Sequence, residues 1–138
     1  MSFEISIDKE LGLVVIRATS VVGPSDVQAA VDDVVALPGF EPGMDQLLDL
    51  TDGELDMDGT GSKGLAQYFQ SAEVRAKLGS DYKCAVVATR ARDFGVSRMY
   101  EAHEADDSIE IRVFYSMKEA RRWIRPPKLY AAPGRQQE

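Results

Sequence analysis

Acidic and hydroxyl side chains are concentrated in residues 45–65, which read DQLLDLTDGELDMDGTGSKGL. Such oxygens at alternate positions could hold a divalent cation. Five residues match positions one, three, five, six and seven of a calcium loop: Asp56, Asp58, Thr60, Gly61 and Ser62. Position twelve is Gln67, where a bidentate glutamate is needed. The alternative is that the acids are solvated and that Asp58 or Thr60 caps the following helix, as a helix N-terminus favours.

Two further motifs occur in the same stretch, each outside its usual context. Residues 56–60 reproduce the DxDGT string of haloacid-dehalogenase-like phosphatases, whose first Asp is the nucleophile at the tip of a buried strand. Here a loop-like segment, residues 51–55, precedes Asp56. Gly59, Gly61 and Gly64 spell GxGxxG, but the five carboxylates before them would repel a pyrophosphate. A magnesium-dependent phosphatase using Asp56 and Asp58 is therefore a third hypothesis, and we predict no cofactor.

The remaining reactive side chains are isolated in the sequence. His103 is the single histidine and Cys84 the single cysteine, so neither a catalytic triad nor a zinc site is predicted. Arg98 and Tyr100 lie on the helix predicted after the fourth strand, at the same end of the sheet as the acidic stretch. They could bind an anionic group, or Arg98 could pair with an acid such as Asp52 or Asp93.

Hydrophobic periodicity predicts the elements that position these residues. Five strands are predicted, at residues 3–8, 13–16, 46–50, 82–88 and 109–115. The first helix starts at residue 24 and stops at 38–39, and the second carries an apolar stripe from Leu65 and ends at Gly79. Asp93 is predicted to cap the third helix, and the fourth begins after Ser116 and stops at 126–127.

This order, β-β-α-β-α-β-α-β-α, predicts a single α/β domain over residues 1–125 with a five-stranded, mixed, mainly parallel sheet. The first two strands form an antiparallel hairpin, and right-handed helical crossovers join the others, so helices cover both faces of the sheet. Strand three is predicted inside the sheet and the last strand at its edge. Residues 126–138 are predicted to be a flexible tail.

Composition limits the classes of partner. The formal net charge of -7 argues against nucleic acid, which requires clustered Lys and Arg. The N-terminus has no basic region and no long apolar run, so we predict no stable membrane insertion and a cytoplasmic location. With one cysteine, no disulfide can form within the chain, which fits a reducing compartment.

Several short strings carry a family resemblance: Leu48-Asp49-Leu50, Phe94-Gly95, Arg98-Met99-Tyr100-Glu101, Val113-Phe114, Glu119-Ala120 and Trp123-Ile124. With the order of elements, they resemble the STAS domains, the fold of anti-sigma-factor antagonists. The chain is more closely similar to the SpoIIAA-like (STAS/SEC14-type) group of small bacterial proteins, over about residues 3–124. These are mostly packing and capping residues, so the resemblance concerns the fold more than the chemistry.

The resemblance implies a non-enzymatic regulatory or protein-interaction module. STAS antagonists carry a phosphorylatable Ser in an Asp-Ser-Ser-Gly turn before the second helix. The matching stretch here is Asp58-Gly59-Thr60-Gly61, with Thr60 at the acceptor position and Ser62 just beyond. We therefore predict a partner surface formed by Asp58, Thr60, Ser62 and Leu65, on a flexible acidic corner at the rim of the sheet.

The alternative, which the SEC14 comparison implies, is a carrier of a small apolar ligand or lipid. Its pocket would lie beneath the second and third helices, gated by Tyr68, Phe69, Met99 and Tyr100, with Arg98 available for a polar group. A protein partner, a small apolar ligand and a homodimer are all compatible with the sequence.

Overall fold

The computed structural model describes residues 2–103 and 109–124, and for residues 99–103 it describes the backbone only. Strands β1 to β7 are Phe3–Asp8, Leu13–Ala18, Val21–Val22, Asp45–Asp49, Glu54–Leu55, Tyr82–Val87 and Ile109–Phe114. Helices α1 to α5 are Pro24–Val35, Gly59–Gln70, Ala72–Leu78, Ala91–His103 and Met117–Ile124. None of the helices in these described ranges is long and apolar enough to cross a membrane.

The main sheet has the order β1-β2-β4-β6-β7. Strands β1 and β2 form the predicted antiparallel hairpin, and every other neighbouring pair is parallel. Strand β4 is central and β7 lies at an edge, as predicted. The apolar segment that ends at Leu50 is therefore inside the sheet. Because β4, β6 and β7 are parallel, their carboxyl ends lie at the same end of the sheet.

Helices cover both faces of the sheet, but unequally. Alternate β4 and β6 residues, such as Leu47 and Val87, pack with Ala120 and Ile124 of α5 on one face. The opposite face, which includes Leu48, lies under α1, α2, α3 and α4. This fold is the predicted mainly parallel α/β architecture, with three long helices and one short helix on the face that carries most of the core.

The second predicted helix differs from the observed structure. It begins at Gly59 instead of Leu65, and it is divided into α2 and α3 at Ser71. Ser71 has an extended backbone, and its hydroxyl donates to the carbonyl of Tyr68 at 2.7 Å and accepts the N–H of Val74 at 3.4 Å. Serine readily satisfies helix termini in this way, so the described chain has five helices instead of four.

The third predicted helix also starts earlier than expected. Asp93 was predicted as its cap, but α4 begins at Ala91 and Asp93 lies within its first turn. The predicted tail of residues 126–138 lies outside the described residues, as do the side chains of Met99, Tyr100 and His103.

Candidate functional site

A cavity of about 110 Å³ lies between the sheet and the helices of the more heavily covered face. Its floor is formed by aliphatic side chains of the sheet, including Leu48 and Ile111, and its roof by Val31 of α1, Leu65 of α2 and Val96 of α4. Residues from strands and helices that are distant in sequence thus line one apolar space.

Small side chains explain why the space stays open. Ala30 on α1, Cys84 on β6 and Ser97 on α4 all line the cavity, where larger side chains would fill it. Native interiors are normally packed to the density of organic crystals, so a cavity of this volume is large for a domain of this size. An apolar cavity of this kind can accept a ligand without displacing protein groups.

One strongly polar side chain lies in this apolar wall. Gln46 on β4 is 8% exposed, and its neighbours in register are Val14 and Cys84. Its Nε2 has no hydrogen-bond partner among the described residues. Gln46 was not among the site residues predicted from the sequence. The available signal was the alternation along 46–50, which places Gln46 on the same face as Leu48 and Leu50.

Two of the four predicted gate residues, Tyr68 and Phe69, lie around this cavity, and the side chains of the other two are outside the described residues. Phe69 lines it, and Tyr68 packs against both clusters that surround it, with the two rings edge to face at 5.3 Å. Burial raises the pKa of the Tyr68 phenol, and the carboxylate of Asp32 raises it further, so the phenol stays protonated. The cavity also extends beneath α1, where Val31 lines it, which is beyond the predicted location.

The acidic corner is not a flexible loop, which corrects the prediction. Strands β3 and β5 pair in parallel outside the main sheet, with Val22 opposite Leu55. The side chains then alternate: Glu54, Asp56 and Asp58 are exposed, whereas Leu55 and Met57 are buried and line the cavity. Because alternate residues are wedged into the core, the corner forms part of the cavity wall.

Helix α4 holds this corner in place. Asp93, 1% exposed, accepts the backbone N–H of Leu55 at 3.1 Å, and Arg92 donates to the Leu55 carbonyl at 3.0 Å. Arg90 donates to the carbonyl of Gly53. These bonds span 37 or 38 residues, so the sequence pattern did not reveal them.

The four predicted partner-surface residues divide into two pairs. Asp58 is exposed and caps α2 by accepting the N–H of Gly61 at 2.9 Å, and Thr60 is exposed in the first turn. Ser62 is fully buried and Leu65 is buried in the core, so neither side chain belongs to an exposed surface. Only Asp58 and Thr60 of the predicted set are available to a partner.

The catalytic and cation motifs lack the geometry that they require. Asp56 is exposed and follows β5, whereas a phosphatase nucleophile would lie at the tip of a central strand such as β4. Residues 59–64 are helical, so they form neither a calcium loop nor a phosphate-binding turn. The described residues contain no group of three or more metal-binding side chains.

The acids proposed as partners of Arg98 have other partners. Asp52 pairs with Arg17, which also bonds Glu4 at 2.7 Å, and Asp93 pairs with Arg90 at 3.5 Å. The hydrogen bond that Arg17 donates to Asp52, and then the one that it donates to Glu4, raise the pKa of Arg17 above its usual value. Arg98 is exposed on α4, and it does not line the cavity.

The comparisons with known proteins concern the fold. No protein-family model and no curated protein sequence matches the chain. A solved structure from Shewanella loihica PV-4, described as an uncharacterized protein of the DUF3478 family with a SpoIIAA-like fold, superposes with a TM-score of 0.53. The two chains are 13% identical, and the match covers 88% of this chain and 90% of the other. The family resemblance seen in the sequence is thereby confirmed at the level of architecture: this chain has a SpoIIAA-like fold.

Proposed function

We propose that this protein binds a small apolar molecule in the cavity between the sheet and helices α1, α2 and α4. The observation that carries this proposal is the cavity itself, about 110 Å³ and lined almost wholly by apolar side chains. In an unrelated protein, an engineered apolar cavity of about 150 Å³ stays dry and binds benzene. The ligand is accordingly of one-ring or short-chain size, and the protein acts as its carrier or sensor.

The physical driving force is transfer of apolar surface from water. Each Å² of ligand surface buried contributes about 25 cal/mol, against which the loss of translational and rotational freedom must be set. For a probe as small as benzene, the expected dissociation constant is roughly millimolar. A natural ligand that also makes a polar contact would bind more tightly.

The test is a titration of the full chain with benzene, followed by NMR of methyl groups. Methyl signals of Val31, Leu65 and Ile111, which line the cavity, are expected to shift in a saturable way. Ala30→Leu puts a larger side chain into the same space, so it is expected to weaken benzene binding at least about tenfold. The same variant is expected to raise the free energy of unfolding by about 1 kcal/mol.

The matched control is Ala76→Leu, because Ala76 is exposed on α3 and away from the cavity lining. It is expected to bind benzene like the original chain. Unchanged binding in Ala30→Leu, or the absence of saturable shifts in the original chain, would overturn the proposal.

A second candidate function is the docking of a protein partner at the start of α2. It is favoured by the exposed residue Thr60, close to the capping carboxylate of Asp58 and at the acceptor position that the family resemblance implies. Helix α2 also contributes Leu65 and Phe69 to the cavity wall. A ligand in the cavity and a partner on the surface would therefore contact the same helix, which gives a regulatory module a physical link between them.

Thr60→Glu tests this docking surface, because a new charge at an interface costs enough to weaken binding at least about tenfold. The measurement is capture of a partner from the native host by the tagged chain, with the partner identified by mass spectrometry. Ser80→Glu is the control. Ser80 is exposed between α3 and β6, at the amino ends of the parallel strands and so at the other end of the sheet from Thr60. Equal capture by the two variants would count against docking at Thr60.

A further inference from the structure

We propose that the ligand carries an uncharged hydrogen-bond acceptor, such as a ketone, ester or amide carbonyl oxygen, and that the side-chain amide of Gln46 donates to it. This inference rests on the proposed function, because it assigns a chemical class to the molecule in the cavity. It adds a specificity-determining residue to a site whose other walls are almost wholly apolar.

The position of Gln46 makes its amide costly unless a partner arrives. It lies on the central strand β4, more than nine-tenths buried, and faces the cavity between Val14 and Cys84 of the neighbouring strands. Its Nε2 makes no hydrogen bond to any described residue. A buried donor without an acceptor is destabilising, whereas a methionine of similar length would fill the same space at no such cost.

The atom that lacks a partner determines the polarity of the ligand. Nε2 of an amide is a donor with two hydrogens and no acceptor capacity, so the complementary ligand atom must be an acceptor. A hydroxyl or amine would meet Nε2 through its lone pair, while a carbonyl oxygen offers two lone pairs and needs no hydrogen-bond acceptor from the protein. A carbonyl group is therefore the better match.

The charge of the wall determines the charge of the ligand. The described residues that line the cavity include no Lys, Arg or His. A carboxylate would lose its hydration there without a cation to compensate, and burial would favour its protonated form. The lining also includes no Asp or Glu among these residues, so an ammonium group has no counter-ion. An uncharged ligand fits this environment best.

Two probes of matched size separate the contribution of the carbonyl from that of apolar burial. Cyclohexanone and methylcyclohexane each have seven non-hydrogen atoms and differ in one acceptor. Each is titrated into the full chain and into Gln46→Met, with methyl signals of the cavity as the readout. The ratio of ketone to hydrocarbon affinity is expected to be about tenfold higher in the original chain than in Gln46→Met, as one hydrogen bond allows.

A second measurement needs no variant. In the original chain, the side-chain NH₂ signals of Gln46, assigned by through-bond correlation, are expected to shift with cyclohexanone and to stay in place with methylcyclohexane. This measurement decides the question if Gln46→Met fails to fold.

The outcomes distinguish the two proposals. If the hydrocarbon binds but the affinity ratio is the same in both proteins, or if the Gln46 amide signals do not respond to the ketone, the cavity binds ligands and the role of Gln46 is overturned. If neither probe produces saturable shifts, the proposed function itself fails, and the inference fails with it.

Discussion

Replacing Asp93 with alanine is expected to lower the free energy of unfolding by about 2–3 kcal/mol, because it leaves a buried backbone N–H without its acceptor. Asp93 is 1% exposed, and Oδ1 accepts the N–H of Leu55 at 3.1 Å. Its carboxylate also lies in the first turn of α4, where the helix dipole favours negative charge. The ion pair with Arg90 adds little, since Arg90 is nearly half exposed and 3.5 Å away.

The measurements are urea unfolding and hydrogen exchange of the Leu55 amide. In Asp93→Ala that amide is expected to exchange much faster, because the pairing of β3 and β5 loses its support from α4. Asp93→Asn is the matched control: it keeps an acceptor oxygen and removes the charge, so a loss of about 1 kcal/mol or less is expected. Equal losses in the two variants would show that the hydrogen bond to Leu55 is not the main contribution.

The same substitution is also expected to weaken benzene binding. Leu55 lines the cavity, and the bond to Asp93 holds it there. The expected loss of affinity therefore follows the loosening of β5, and Asp93→Asn is expected to bind benzene nearly as well as the original chain. This coupling connects the stability of the corner to the proposed ligand site.

Gly53→Ala is expected to destabilise the fold by about 2–4 kcal/mol, because the site leaves no room for a methyl group. A Cβ at residue 53 would lie 2.6 Å from Cβ of Ala18 and 2.8 Å from the carbonyl oxygen of Ser20. That carbonyl accepts the N–H of Glu54 at 3.2 Å, which starts β5. The added methyl group must therefore push β5 away from the end of β2.

Gly64→Ala is the control, since a Cβ at residue 64 would meet no atom within 4 Å. Gly64 lies within α2, where alanine is favoured over glycine by about 0.5–1 kcal/mol, so this variant is expected to be more stable. Thermal and urea unfolding of both variants compare the two effects directly. If Gly53→Ala were as stable as the original chain, the close contact between the corner and β2 would not be a constraint on the fold.

Much of the architecture follows from local sequence patterns. The alternation from Phe3 to Asp8 and the apolar runs at β4 and β6 predict strands of different burial, and the element order predicts parallel pairing with right-handed crossovers. Asp58 caps α2, one of the two residues that the sequence suggested for that role. Signals of this kind depend on residues a few positions apart, so they can be recognised in the sequence alone.

The start of α2 and the break between α2 and α3 were harder to predict, because they depend on contacts that local helix propensity does not reflect. Residues 59–64 include three glycines, which weaken a helical pattern, yet they are helical because Asp58 caps them and Leu65 anchors the helix in the core. Ser71 divides the helical stretch because its hydroxyl bonds with the backbone on both sides of the break. Tertiary packing and side-chain bonds outweighed local propensity at both places.

The sequence by itself therefore determined the class of fold, the central place of β4 and the acidic character of the corner after it. Only the tertiary structure decided that this corner is wedged into the core, that Ser62 and Leu65 are buried, and that an apolar cavity with Gln46 in its wall lies beneath the helices. A cavity depends on the volumes of side chains that meet from distant parts of the chain, such as Ala30, Cys84 and Ser97. No pattern of neighbouring residues records whether those volumes fill the space between them.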